Sequence, residues 1–205
     1  MIRILNLYAG IGGNRKLWSG DIEVTAVEIN SEIAKIYQDF FSQDKIVIGD
    51  AHQFLLEHYE EFDFIWSSPP CPTHSRFNLP LDKKRYPDMA LYQEIIFLKC
   101  FFKKPFVVEN VISYYKPLIE PYQYDGHFFW SNFFIGNNNI ERGFTNMSLQ
   151  QIAKERDIDL DYLKSQAKNY ELLLNNCVLP QTGLKIFNLA FKEKQLLIGQ
   201  SEVEP

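Results

Sequence analysis

Asp63-Phe64-Ile65-Trp66-Ser67-Ser68-Pro69-Pro70-Cys71-Pro72-Thr73-His74-Ser75 is the stretch on which the fold turns. Its apolar run, Phe62–Trp66, mixes aromatic and β-branched residues and stops at two prolines, which is the pattern of a buried strand. Pro69 and Pro70 restrict φ and remove two backbone donors, so the chain leaves the sheet in one stiff direction. Cys71 follows at once, aimed from a strand's carboxyl end, where parallel α/β sheets place their ligands. A thiolate there is a good nucleophile. A small buried Cys filling a gap is the competing account.

Upstream, Arg3–Leu7 reads as a strand that stops at Tyr8-Ala9-Gly10-Ile11-Gly12-Gly13-Asn14. A strand, a Gly-rich turn and a helix start form the cofactor-binding geometry of doubly wound folds. Arg15 stands where the dinucleotide fingerprint wants its third Gly, so a nicotinamide or flavin site is disfavoured. Val24–Val27 is the next strand and ends in Glu28-Ile29-Asn30. Glu28 lies near the offset of about 20 residues at which an acid reaches a ribose diol, and one carboxylate accepts from both hydroxyls. Equally, it is an acid in front of the helix Ser31–Phe41, capped by Asn30 or Ser31. Lys45–Ile48 is a third strand; Asp50 after it can accept from an adenine amino group or cap the helix that begins near Ala51. Strand ends that are Gly-rich, acidic and acidic fit an adenosine cofactor without phosphates, and S-adenosylmethionine is the natural candidate.

Downstream, the segment to Pro87 is polar, proline-bearing and basic, with Lys83-Lys84-Arg85 as its cluster, and reads as a loop. Asp88–Phe102 is an amphipathic helix with Leu91, Ile95, Leu98 and Phe102 on one face. Phe106–Val108 is a fifth strand, running into Glu109-Asn110-Val111. A carboxyl at a buried strand end holds its proton to higher pH and can donate it; a satisfied structural Glu is the alternative. Beyond Pro121 the chain is aromatic through Phe134, turns at Asn137–Asn139, and then predicts short polar helices over Ser148–Arg156 and Asp159–Lys168. Asn175–Pro180 reads as a turn, Thr182–Phe191 as a helix returning to the core, and Ser201–Pro205 as a frayed end.

The 205 residues, 46% hydrophobic and 23% charged, suffice for one α/β domain with a full core. A net charge of −5 excludes a surface that attracts nucleic acid everywhere, though not a local basic groove. Cys71, Cys100 and Cys177 form neither a disulfide framework nor a zinc pattern, which suits a reduced, cytoplasmic compartment. No apolar run has the length of a membrane span, and Met1–Gly10 lacks the make-up of a secretory signal.

From Leu5 to about Ala190 the chain resembles the DNA cytosine-5 methyltransferases, in the form of the short bacterial and phage-type members. Five motifs carry the likeness in order: Leu7–Gly13, the acids Glu28 and Asp50, Pro69-Pro70-Cys71 with Ser75, Glu109-Asn110-Val111, and Asn176-Cys177-Val178-Leu179-Pro180. The resemblance implies an α/β fold: a Rossmann-like S-adenosylmethionine-dependent methyltransferase sheet with helices on both faces. It implies a catalytic domain over 1–125, a reduced target-recognition region over 126–175, and a C-terminal segment, 176–205, returning to the first. It places S-adenosylmethionine against Tyr8, Gly10, Gly12, Gly13, Glu28, Ile29, Asp50, Pro69, Asn176 and Val178. Cys71 would add to carbon 6 of a flipped-out cytosine, Glu109 would stabilise charge at N3, and Asn110 would orient the nucleophile loop. Double-stranded DNA would meet Ser75, Arg76, Lys83, Lys84 and Arg85. The family's Gln-x-Arg-x-Arg segment, whose arginine assists at the target base, is absent, and Arg142 is the substitute that the sequence offers. The short stretch between Trp130 and Asn175 leaves room for a helper subunit or dimer partner in target recognition. An RNA (tRNA) methyltransferase of the same fold and a non-catalytic DNA-binding subunit are the two alternatives.

Overall fold

The computed structural model describes residues 1–83, 85–138 and 147–200, without the side chains of 193–200. Its strands are β1 (Ile2–Leu7), β2 (Ile22–Glu28), β3 (Lys45–Ile48), β4 (Phe64–Ser67), β5 (Phe106–Val111), β6 (Tyr122–Tyr124) and β7 (His127–Ser131). Its helices are α1 (Ser31–Phe40), α2 (Ala51–His58), α3 (Ala90–Phe101), α4 (Leu149–Glu155), α5 (Leu160–Gln166), α6 (Tyr170–Asn175) and α7 (Pro180–Gln200). The seven strands make one sheet in the order β3-β2-β1-β4-β5-β7-β6. β1 to β5 pair in parallel, while β7 runs antiparallel to both β5 and β6. The chain winds outward from β1 through β2 to β3, then restarts at β4 on the other side. The crevice at that reversal lies between the carboxyl ends of β1 and β4, where doubly wound sheets bind ligands.

Alternation along the strands divides the core between two faces. Leu5, Leu7, Ile65, Phe106 and Val108 face α2 and α3, against Leu55, Leu91, Ile95 and Leu98. Ile4, Val24, Phe64, Trp66, Val107 and Phe129 face the other way, toward Ile186, Phe187 and Ala190 of α7. Helix α1 shares that second side through Tyr37, which packs with Ala9 and Ala26. Helices α4 to α6 form a separate small core with Ile11 and Ile36, resting on α1. Side chains cap three of these four helices: Asn30 caps α1, Asp159 caps α5, and Ser148 with Gln151 forms a capping box on α4. Among the described residues no helix is long and apolar enough to cross a membrane.

The expected helix after the glycine turn does not form. Residues 8–21 connect parallel strands through successive turns, with Arg15 N–H to the Gly12 carbonyl at 3.1 Å and Trp18 N–H to the Arg15 carbonyl at 3.0 Å. Two contacts explain this. Helix α7 already covers the surface that a crossover helix would take, its Phe187 stacked on Trp18 at 5.2 Å. Arg15 turns away to grip Asp44 through two bonds of 2.9 and 3.0 Å while also donating to the Trp18 carbonyl at 2.8 Å. The pair is nearly buried, and Tyr37 completes it by donating to Asp44 at 2.8 Å. Removing one partner of a buried pair leaves an uncompensated charge. Arg15→Met is therefore expected to cost about 3 kcal/mol in urea denaturation, and the double change Arg15→Met with Asp44→Leu markedly less.

Candidate active site

Every loop that leaves a parallel strand at its carboxyl end carries a polar group into one rim. After β1, Tyr8 takes the left-handed backbone at φ 54°, a conformation that costs a non-glycine residue about 1 kcal/mol or more. Its hydroxyl donates to Glu94, a carboxylate on α3 with no exposure. Ser67 at the end of β4 donates to the same carboxylate at 2.6 Å, and the His52 ring lies 3.2 Å away. Burial first, then the Glu94 charge, hold the Tyr8 phenol above its usual range, so it remains a donor. Glu94 thus ties α3 to the ends of β1 and β4. Its signal in the sequence is a charge inside the apolar stripe formed by Leu91, Ile95 and Leu98.

Glu28, buried at the end of β2, fastens the glycine turn to its own strand. One carboxylate oxygen accepts from Gly10 N–H at 3.0 Å and the other from Asn30 N–H at 2.9 Å. Each oxygen keeps a further lone pair for a ligand hydroxyl. Ile29 beside it is 70% exposed, an apolar surface at the rim. Asp50 caps α2 by accepting from Gln53 N–H at 2.8 Å, the simpler of its two expected roles. Gly12 has φ 80°, and Gly13 lies against the Cys177–Val178 peptide: a Cβ on Gly13 would sit 2.2 Å from Cys177 Sγ and 2.5 Å from the Val178 carbonyl oxygen. That approach brings Cys177 and Val178 to the glycine turn from the far end of the chain. Asn176 is exposed at the end of α6, and Val178 is buried. Burial pushes the Cys177 thiol up to about 11, consistent with a packing role.

On the other side of the crevice, the β4 and β5 ends converge. Asn110 donates to the Pro69 carbonyl at 2.9 Å, which pins the Pro69-Pro70-Cys71 loop to β5. Cys71 is partly exposed. Burial raises its thiol above the usual value, and the Glu109 carboxyl raises it further. Glu109 is itself raised by burial, against smaller opposing effects of His127 and of a hydrogen bond from Ser68. Ser68 is poised for that bond because its oxygen already accepts from Trp66 Nε1 at 2.9 Å. A half-buried thiol and a carboxyl that keeps its proton to higher pH therefore lie close enough to act on each other.

His74, three residues after Cys71, serves elsewhere. It is buried, its Nδ1 lies 2.6 Å from the Tyr115 hydroxyl, and burial holds its pKa down. Ser75 pairs with Ser113 across an isolated bridge and accepts from Phe77 N–H, capping the short turn Arg76–Asn78. The basic segment is anchored at its far end, where the Tyr114 hydroxyl donates to the Arg85 carbonyl at 2.7 Å. Lys83 and Arg85 are exposed there. So are Phe77 at 71% and Tyr86 at 85%, which a reading of charge alone overlooked. Lys84 and Arg142 lie outside the described residues.

A family model described as C-5 cytosine-specific DNA methylase matches residues 2–117. The comparison with curated proteins gives no match. Among solved structures, a Spodoptera frugiperda DNMT2 variant is similar at 27% identity and a TM-score of 0.41, covering 54% of this chain and 36% of that one. A hypothetical protein of Thermus thermophilus is similar at 19% identity and 0.44, covering 63% and 73%. The Entamoeba histolytica methyltransferase EhMeth follows at 23% and 0.37, covering 54% and 38%. This chain thus spans about a third of the Spodoptera chain's length.

The coupling between Cys71 and Glu109 is open to direct measurement. A carboxylate near a thiol disfavours the thiolate, so neutralising it must lower the thiol pKa and speed alkylation. In the pH range where Glu109 is ionised, Glu109→Gln is expected to raise the rate at which iodoacetamide modifies Cys71 by about threefold.

Proposed function

The chain belongs to the C-5 cytosine-specific DNA methylase family, and from that premise we propose that it transfers a methyl group from S-adenosylmethionine to carbon 5 of cytosine in DNA. The observation that carries this reading is the meeting of Cys71 and Glu109 at adjacent strand ends, with Asn110 holding the nucleophile loop by the Pro69 carbonyl. Carbon 5 of cytosine is too poor a nucleophile to take a methyl group unaided. In this account the Cys71 thiolate adds to carbon 6, the ring electrons shift toward N3, and protonated Glu109 donates to N3. Carbon 5 would then take the methyl group that S-adenosylmethionine supplies, and loss of the carbon 5 proton to solvent would expel Cys71 and restore the aromatic ring.

The residues at the crevice fit the cofactor. Glu28 stands at the ribose offset with acceptor capacity left, Ile29 offers an apolar surface for adenine, and the space beside Gly10 is open, with nothing but its chain neighbours within 4 Å of a side-chain position there. Asp50 would accept from the adenine amino group with the oxygen that does not cap α2, and Pro69, Asn176, Val178 and Tyr8 would hold the rest of the cofactor. S-adenosylmethionine supplies the methyl sulfonium when bound there.

A stacked base cannot enter such a pocket, so the cytosine is extruded from the duplex at a cost of a few kcal/mol. The segment Ser75–Tyr86 presents Arg76, Lys83 and Arg85 for phosphates and Phe77 and Tyr86 for unstacked bases. The helices α4 to α6 stand for the target-recognition region, completed by a helper subunit or a second copy. Duplex DNA carrying 5-fluorocytosine tests the chemistry, because fluorine blocks the elimination. With cofactor, the chain is expected to stay bonded to DNA through denaturing electrophoresis, and Cys71→Ser to form no adduct. An adduct on tRNA and none on varied duplex DNA would transfer the reading to an RNA substrate. Changing Lys83 and Arg85 to Gln is expected to weaken DNA binding and to flatten its logarithmic salt dependence by about two; an unchanged salt titration would remove this segment from the interface.

A further inference from the structure

Position 127 begins β7, directly across from Val111 at the end of β5. This places the His127 ring on the same side of the sheet as Glu109, with Nε2 3.8 Å from Glu109 Oε1. The other ring nitrogen, Nδ1, lies 3.1 Å from the Asp125 carbonyl. A carbonyl only accepts, so Nδ1 carries the hydrogen, and the nitrogen that faces Glu109 is the one that gains or loses a proton. A bare Nε2 beside a carboxylate would set two lone pairs against each other. Two arrangements avoid this: a carboxylic acid beside neutral imidazole, or a carboxylate beside imidazolium. Both contain one proton for the two groups.

The setting holds the ring in place. Asp125 and Gly126, with φ 49° and 78°, make the tight turn that joins β6 to β7. The Asp125 carboxylate accepts from the Thr182 hydroxyl on α7, and Lys185 of α7 donates to the Tyr124 hydroxyl at 2.6 Å. Among the described residues the charges about the ring are Glu109 from β5, Asp125 from the turn and Lys185 from α7, with Cys71 beyond Glu109. Glu109 is the acid within ion-pair distance of Nε2 among them.

We infer that His127 is a positioning residue that shares one proton with Glu109, so that the proton is available through that carboxyl to N3 of the target cytosine. This rests on the function proposed above. As the Cys71 electron pair forms the bond to carbon 6, the one proton of the pair moves through the Glu109 carboxyl to N3, which leaves carboxylate and neutral imidazole until elimination. Elimination of Cys71 returns the proton, so the pair ends the turnover as it began. The device fills the place for which the sequence offers Arg142: a weakly basic ring beside the acid, in a chain without the Gln-x-Arg-x-Arg segment.

The test titrates the four histidines of the full chain by proton–nitrogen NMR, the His127 signal being the one absent from His127→Asn. His52, His58 and His74 report whether each variant is folded. In Glu109→Gln, the His127 titration curve is expected to be displaced toward lower pH from that of wild type. A second arm follows methyl transfer to duplex DNA against pH in wild type and His127→Asn, whose amide keeps a donor for the Asp125 carbonyl. The expected result is a profile displaced by about one unit and a kcat lowered about tenfold, with KM for DNA unchanged. An unmoved His127 titration overturns the shared proton. A profile scaled down without displacement overturns its part in the reaction. A displaced titration in a chain that methylates no cytosine overturns the function proposed above, and the part of the pair in it.

Discussion

The close approach of Gly13 to the Cys177–Val178 peptide is the contact on which the site depends. It needs a residue without a side chain at position 13, since a methyl group there would occupy the space of Cys177 Sγ. What it secures extends well beyond that turn. With Val178 seated against Gly13, α7 starts at Pro180 beside Asn14, so close that Gly183 must also lack a side chain. From there α7 lays Ile186, Phe187 and Ala190 on the sheet and reaches the β6–β7 turn through Thr182 and Lys185. The glycine turn, the sheet face and the strand that bears His127 are therefore braced by a single segment.

Two buried acids do for the rim what α7 does for the sheet. Glu94 gathers Tyr8, Ser67 and His52, and Asp44 gathers Arg15 and Tyr37. A buried charge that is fully bonded adds little net stability over an apolar replacement, but it admits few alternative arrangements. Apolar packing tolerates a shift of a loop by an ångström; a carboxylate with its partners at hydrogen-bond distance does not. The positions of Tyr8 and of the glycine turn are set by these acids more than by the strands that precede them.

Much of this was legible in the sequence. The five parallel strands announce themselves through β-branched and aromatic runs that end in Gly, Pro or acid, and Lys45–Ile48 falls where the pattern puts it. The rim was legible too, because Pro69-Pro70-Cys71 and Glu109-Asn110 each sit just beyond such a run. What escaped depends on partners distant in the chain. The missing helix after Gly13 follows from α7 taking its surface, and no local pattern in residues 14–21 records that. Helix α6 is one short turn-like element, Tyr170–Asn175, stabilised by packing with α4 and α5. His127 looked like one aromatic among many until strand pairing set it across from Val111.

The order of the elements has a bearing on biosynthesis. Trp18 donates to the Gly183 carbonyl across 165 residues, and the face of β1 and β4 that carries Ile4, Phe64 and Trp66 is covered by α7. A nascent chain emerging from the ribosome can build the side of the sheet covered by α2 and α3 as soon as those helices are made. Beyond the part that α1 covers, the opposite side stays bare, with Trp18, Phe64 and Trp66 wet, until α7 has been synthesised. Until then the polypeptide is a partly covered sheet, the kind of species that aggregates or engages chaperones. This face of the sheet is finished only when α7 closes over β1.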